Sequence, residues 1–247
     1  TRETLSLRAY SVQKEMNTLR RNACLLMQSP DVANILEKLE VEVEKHRFEI
    51  RKDKAINKDV GLKKNFLMLI LNYNPLWLRI GLETVFGRII QMHEAADIVT
   101  LSKFVIRDFL TNLDILSQFA HSTVPHHYVE GYEIKLKQFM LKKFFNLVYC
   151  LDQAKKTRLI KHNPCLFCKD SPIKMSKNII TTFSSEYLSG EGDVMKHLGY
   201  LGYKVSHEQT YFDEFDYAVT NIATDLRCGV RLSRLMEILT KEQGLIN

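Results

Sequence analysis

The sequence predicts an all-α fold. Three observations carry the prediction. Only 10 Gly and 5 Pro interrupt 247 residues, which leaves long stretches without the residues that end helices. Apolar residues recur at helical spacing: Leu232, Leu235, Met236 and Leu239 stand at i, i+3, i+4 and i+7, one face of a 3.6-residue period. The segment Leu76 to Phe86 is apolar on nearly every side, and a helix of that kind belongs inside a core.

The first predicted helix covers residues 2–28. Leu5, Val12, Met16, Leu19, Ala23 and Leu26 form its apolar face, and Arg8, Lys14, Arg20 and Arg21 its basic side. Ser29-Pro30-Asp31 breaks the pattern. A densely charged second helix runs from Asp31 to Arg51, with Ile35, Leu39, His46 and Ile50 near one stripe. Glu40-Val41-Glu42-Val43-Glu44 alternates as a strand would, but the segment lacks turn signals and helix is the reading adopted. Residues 51–58 form a loop. A short apolar helix follows over Val60 to Asn72. At Asn74-Pro75 the chain restarts, with Asn as N-cap and Pro in the first turn.

Further helices are expected over Val99 to Phe119, Val129 to Leu159 (in one piece or two), Asn178 to Leu188, Phe215 to Ala223 and Val230 to Lys241. His126-His127 reads as a turn. His162 to Lys177 reads as a loop because it holds Pro164, Pro172 and a cysteine pair. Residues 190–192 and 199–203 read as loops, and Gly229 is expected to relieve a turn ahead of the last helix.

The balance of 45% hydrophobic and 26% charged residues is that of an ordinary soluble protein. The formal charge of +6 suits an acidic partner without naming it: tubulin, filamentous actin, nucleic acid and acidic peptides all qualify. Five Cys with no disulfide-framework spacing indicate a reducing compartment. No apolar run approaches the roughly 18 residues of a membrane span, so no membrane partner is expected. The opening Thr1-Arg2-Glu3-Thr4 is neither Met nor a signal peptide, which suggests an internal piece of a longer chain. The Walker loop, Gly-x-Gly-x-x-Gly, Gly-x-Ser-x-Gly and His-Glu-x-x-His are absent. The expectation is therefore a binding protein without catalytic residues or cofactor.

Asp225-Leu226-Arg227-x-Gly229-x-x-Leu232, followed by Leu235-Met236-Glu237-Ile238-Leu239, resembles the signature of a calponin-homology domain. The blocks Asn74 to Gly87, Asn163 to Asp170, Leu188 to Asp193 and Asp213 to Asn221 occur with it in one order. Together they resemble the abnormal spindle family of microcephaly-associated spindle-pole proteins.

The resemblance implies a calponin-homology-like helical core with a long helical insertion and an N-terminal helical extension. Residues 1–73 would be the N-terminal helical region and 74–247 the calponin-homology-like domain. In that scheme 74–87 is its first helix, roughly 88–210 the insertion and 215–241 the signature helices, with the later helices missing. It also implies a cytoplasmic, cytoskeletal protein of the mitotic spindle pole, nuclear in interphase, that binds microtubules or their minus ends. Such a protein would contribute to spindle organisation and orientation in cell division. A spindle-pole scaffold, a calmodulin-responsive adaptor and an actin-binding module are the rival functions. The IQ pattern is absent, so IQ-type calmodulin binding is not assigned.

Candidate functional residues follow from both readings. Trp77, Asp225, Leu226, Gly229, Leu232 and Leu235 are signature or core positions. The segment Glu133 to Lys161 is strongly basic, carrying Lys135, Lys137, Lys142, Lys143, Lys155, Lys156, Arg158 and Lys161 against Glu133 and Asp152. It reads as a positive face for a filament, as a calmodulin-target helix, or as a core helix with a solvated lysine edge. Cys165 and Cys168 with His162 have metal-ligand residue types, but structural zinc needs four ligands, and Cys150 or His197 would have to complete the set. Without them the segment is a loop with partly buried thiols. Ser171-Pro172-Ile173-Lys174 has the pattern favoured by cyclin-dependent kinases, placing Ser171 as a phosphorylation candidate in an accessible loop. Nucleic acid is not the expected partner, because no basic sheet bearing stacking aromatics is in evidence.

Overall fold

The computed structural model describes residues 7–92, 97–120, 128–190 and 192–240, with side chains from residue 12 onward. Leu5, Arg8, the His126-His127 turn and Lys241 lie outside what is described in full. The fold is all-α: among the described residues the only strands are two of two residues each. No helix among them is long and apolar enough to cross a membrane. The chain forms two compact units, residues 1–208 and 209–247. Both sides of the 73/74 boundary expected from sequence lie in the first unit.

In the first unit, helix α1 (Leu7–Met27) buries Leu19 and Ala23, with Met16 and Leu26 packed beside them. Val12, expected on that face, is exposed, since burial begins only at Met16. Helix α2 (Pro30–Glu44) opens on Pro30 and carries Asp31 in its first turn. The rival strand over 40–44 is absent. A strand would turn Val41 and Val43 the same way, whereas the helix buries Val43 and exposes Val41. Past Glu44 the backbone turns, with His46 at φ 57°. Ile50, expected in the helix, instead forms strand β1 (Glu49–Ile50), antiparallel to β2 (Leu188–Ser189) with Ile50 opposite Leu188.

The Asp59 side chain caps helix α3 (Val60–Ile70) at the Leu62 N–H. Helix α4 (Pro75–Phe86) starts as predicted: Asn74 Oδ1 accepts from the Leu76 N–H at 3.0 Å. It ends at Gly87, φ 64°, a left-handed residue where a Cβ would be strained. The helix expected over 99–119 is three pieces. These are α5 (Ile98–Phe104), a π-helix (Val105–Thr111) and α6 (Leu113–Gln118). Asn112, at φ 42°, makes the break and caps α6 through the Ile115 N–H.

Helix α7 (Tyr132–Lys156) is one 25-residue piece and the axis of the unit. It packs against α1, α2, α4, α6, the π-helix, β1 and α8. Helix α8 (Ser176–Tyr187) begins slightly earlier than predicted. Helix α9 (Val194–Tyr200), capped at its start by the Asp193 side chain on the Lys196 N–H, takes in Gly199 and Tyr200, expected as loop.

The core is built on α7. Phe144, Phe145, Leu147, Val148 and Leu151 are fully buried, with Phe144 stacked on Phe183 at 3.8 Å between ring centres. Where α4 crosses α7, a Cβ on Gly81 would sit 2.8 Å from Leu147 and Leu151 side-chain atoms. The close approach therefore needs glycine. Trp77 is fully buried and its indole N–H donates to the Pro164 carbonyl at 3.0 Å, the partner a buried indole requires.

The second unit contains α10 (Tyr211–Glu214), α11 (Ile222–Asp225) and α12 (Gly229–Thr240). The helix predicted over 215–223 does not form. Asp216 and Asp225 turn that stretch instead: Asp216 accepts from the Ala218 N–H, and Asp225 from the N–H groups of Thr220 and Asn221 at 2.8 Å. Side-chain acceptors of this kind compete with helix formation.

Candidate binding surface

The eight basic residues of 133–161 do not form one free face. Helix α7 is a core element, and several of its lysines hold neighbouring segments. Lys137 Nζ donates to the Arg51 carbonyl at 2.8 Å. Lys142 pairs with Glu44 at 2.7 Å, a bond that draws the Glu44 carboxyl below its ordinary range. Lys143 donates to the Val85 carbonyl at 2.6 Å and lies over the Phe86 ring. Lys155 is only 7% exposed and binds Asn163 Oδ1 at 2.9 Å and the Pro164 carbonyl at 2.8 Å. Burial pushes the Lys137 and Lys143 ammonium groups below their usual values.

Only Lys135, Lys156, Arg158 and Lys161 remain exposed. Lys135 and Lys156 are 21 positions apart, so about 32 Å of helix separates them. The apolar residues a calmodulin groove would need, Phe144, Phe145 and Leu151 among them, are inside the core. Capture of this segment would require unfolding α7.

Asp152, one of two acids in the basic segment, is fully buried and accepts from the backbone N–H groups of Ser206 and His207, the latter at 2.9 Å. It ties residues 206–207 to α7. Glu83 does the same on α4. Its carboxylate receives Arg20 at 2.6 and 3.0 Å, Arg79 at 3.2 Å and the Ile90 N–H at 2.8 Å. Sequence reasoning counted Asp152 only as an acid within the basic segment and passed over Glu83, although it is the single acid of α4.

Ser171 is not in an accessible loop. It is 7% exposed, with Oγ 2.6 Å from Asn72 Oδ1 and 2.8 Å from the Ile173 carbonyl. A kinase needs the serine in an extended, reachable backbone. Here the Ser-Pro turn is folded against residue 72 because the 163–168 segment pairs with residues 72–74: Cys168 N–H donates to Asn72 and Asn74 N–H to Leu166.

The metal reading fails on geometry. Among the described residues no group of three His, Cys, Asp or Glu side chains could hold a metal. Cys168 Sγ sits 3.5 Å from the Tyr73 carbonyl, and burial raises its thiol above the ordinary value. Cys150 is fully buried and pushed up to about 12. His197 is engaged elsewhere, 2.9 Å from Glu42.

The signature residues divide. Asp225 holds the turn ahead of α11 through the Thr220 and Asn221 N–H groups and is half-buried rather than core. Leu232 and Leu235, expected in the core, are 46% and 38% exposed, Leu226 is half-buried and Gly229 is exposed. Gly229 has no positive φ and a Cβ there would meet open space. The physical reason is size: a unit of fewer than about 40 residues cannot bury both sides of its helices.

A groove of about 660 Å³ lies on the first unit, between the segment following α4 and the face of α5 and the π-helix. Arg88, Ile89, Gln91, Lys103, Ile106 and Arg107 border it, with Ile90 and Phe104 beneath. Nothing in the sequence patterning marked it, since one side is placed by the Glu83 cluster and the two sides are joined by Arg88 on Asp108, 20 positions on.

The chain is 51% identical over 245 residues to the abnormal spindle-like microcephaly-associated protein of Homo sapiens, across 99% of this chain. It is 51% identical to the homologue of Saimiri boliviensis boliviensis and 50% identical to that of Felis catus over the same span. Over this stretch the chain is similar to proteins named abnormal spindle-like microcephaly-associated. It spans about 7% of the length of these relatives. No family model matches it, and no solved structure matches it.

Proposed function

We propose that this segment is a non-catalytic binding module of a mitotic spindle protein, acting at the spindle pole on microtubules or their minus ends. The observation that carries the reading is the likeness over nearly the full chain to proteins named for an abnormal spindle. Charge supports it. Residues 1–208 hold 31 of the 35 Lys and Arg but 23 of the 29 Asp and Glu, so the net positive charge of the chain resides in the first unit, at +8. An acidic filament surface attracts such a unit, and salt weakens the attraction. The calponin-homology likeness of Asp225 to Leu239 belongs to the same proposal.

The test is co-sedimentation of the intact chain with microtubules over a salt series. The variant to compare is Lys135→Glu/Lys156→Glu/Arg158→Glu/Lys161→Glu, because these four side chains are exposed. Loss of pelleting with added salt and in the variant is the expected result. Unchanged pelleting of the variant removes these residues from the contact. No pelleting of folded wild-type protein overturns the filament reading in favour of a spindle-pole scaffold.

A further inference from the structure

The groove between residues 88–91 and the face of α5 and the π-helix combines three properties. Its rim carries three cations, Arg88, Lys103 and Arg107, against the two carboxylates of Asp108 and Asp114 that pair with the arginines, a local net charge of +1. Aliphatic side chains stand beside those charges: Ile89 is 62% exposed and Ile106 39% exposed. The walls are held in place from behind. Ile90, under the rim, is fixed by its N–H on Glu83 at 2.8 Å and by its carbonyl, which accepts from Arg79 at 3.0 Å.

On the other wall, Asp108 of the π-helix is buried and holds both rim arginines. Arg88 Nη1 donates to it at 3.0 Å and Arg107 Nε at 2.8 Å, while Arg88 Nη2 reaches Asp114 at 2.8 Å. A guanidinium carries five N–H donors, so both arginines keep donors beyond these bonds. The ion pairs orient the guanidinium groups before any ligand arrives. The π-helix that places Asp108 is an arrangement found often at functional sites.

We propose that this groove docks an extended acidic segment of a partner protein, carrying aliphatic side chains between its carboxylates. Charge complementarity selects the occupant. Carboxylates would meet Arg88, Lys103 and Arg107, and aliphatic anchors would cover Ile89 and Ile106. A nucleic acid fits less well, because single strands are held by exposed aromatic faces, and the groove's Phe104 is buried. The proposal does not rest on microtubule binding, and failure of co-sedimentation leaves it standing.

The experiment is fluorescence anisotropy of a labelled peptide alternating Glu and Leu, titrated with the intact chain. The variants are Lys103→Glu, Ile89→Ser and Ile106→Ser, all at exposed positions, with the fold checked through Trp77 emission. Roughly tenfold weaker binding in each variant is expected, together with comparable weakening when Ser replaces Leu in the peptide. Three results overturn the proposal: no binding of the peptide to wild type, equal binding by the variants, or equally tight binding of an all-Glu peptide or a single-stranded DNA oligonucleotide. The last would mean that charge alone is read and the isoleucines take no part.

Discussion

Arg20 and Glu83 stand 63 positions apart in the chain and meet at 2.6 and 3.0 Å, a two-pronged ion pair between α1 and α4. Glu83 is 4% exposed. A buried carboxylate of this kind is held by its partners, and removing one side leaves the other charged and stranded. The pair attaches the N-terminal helix to the Trp77 helix, and through the Ile90 N–H it also places one wall of the cationic groove.

Glu83→Ala should therefore destabilise the first unit by about 3–5 kcal/mol. Denaturant unfolding read from the emission of Trp77, the only Trp in the chain, measures this directly. An unchanged midpoint would show that the Arg20–Glu83–Arg79 cluster does not hold the helices together.

Lys155 and Lys156 are neighbours in sequence with opposite roles. Lys155→Ala leaves the Asn163 side chain and the Pro164 carbonyl without their ammonium donor and should cost about 1–3 kcal/mol. Lys156→Ala removes an exposed charge and should change stability by no more than about 0.5 kcal/mol. Thermal unfolding of the two single variants side by side decides the matter, and equal midpoints would contradict the assignment.

Alkaline pH should loosen the first unit. The Cys150 thiol has an ordinary value of 9.0 and burial pushes it up to about 12. The folded chain therefore holds this proton more tightly than the unfolded chain, and stability falls as pH rises. The contribution is complete below pH 9 and is lost between pH 9 and about 12. Burial also raises Tyr73 and Tyr203 well above their usual value, in the same direction. Below that window Cys150 should resist iodoacetamide until the chain unfolds. Cys228 should react readily, because backbone N–H groups of Arg231 and Val230 draw its thiol below the ordinary value. Fast labelling of Cys150 in folded protein would contradict its burial.

Much of the helical order was legible in the residues. The Asn74-Pro75 start of α4, the burial of Trp77 and helix over most of 129–159 follow from capping chemistry and the 3.6 period, which are local; that the last is one piece at 132–156 was left open by the residues. Boundaries were less legible where side chains compete with the backbone. Asn112 breaks a helix whose apolar pattern runs on, and Asp216 and Asp225 turn a stretch that reads as helical. The basic segment misled for a different reason. Eight cations in 29 residues look like a surface, yet long flexible lysines can reach back to carbonyl groups, as Lys137, Lys143 and Lys155 do.

By itself the sequence determined the all-α class, the placement of most helices and the likeness to the abnormal spindle-like proteins, because periodicity, caps and collinear blocks are written along the chain. Only the tertiary structure decided which charges are free. It buried Ser171, spent half of the basic segment on internal bonds and assembled the groove between residues 88 and 107. Burial depends on which surfaces meet across 60 or more positions, as Arg20 and Glu83 do, and no local pattern carries that distance.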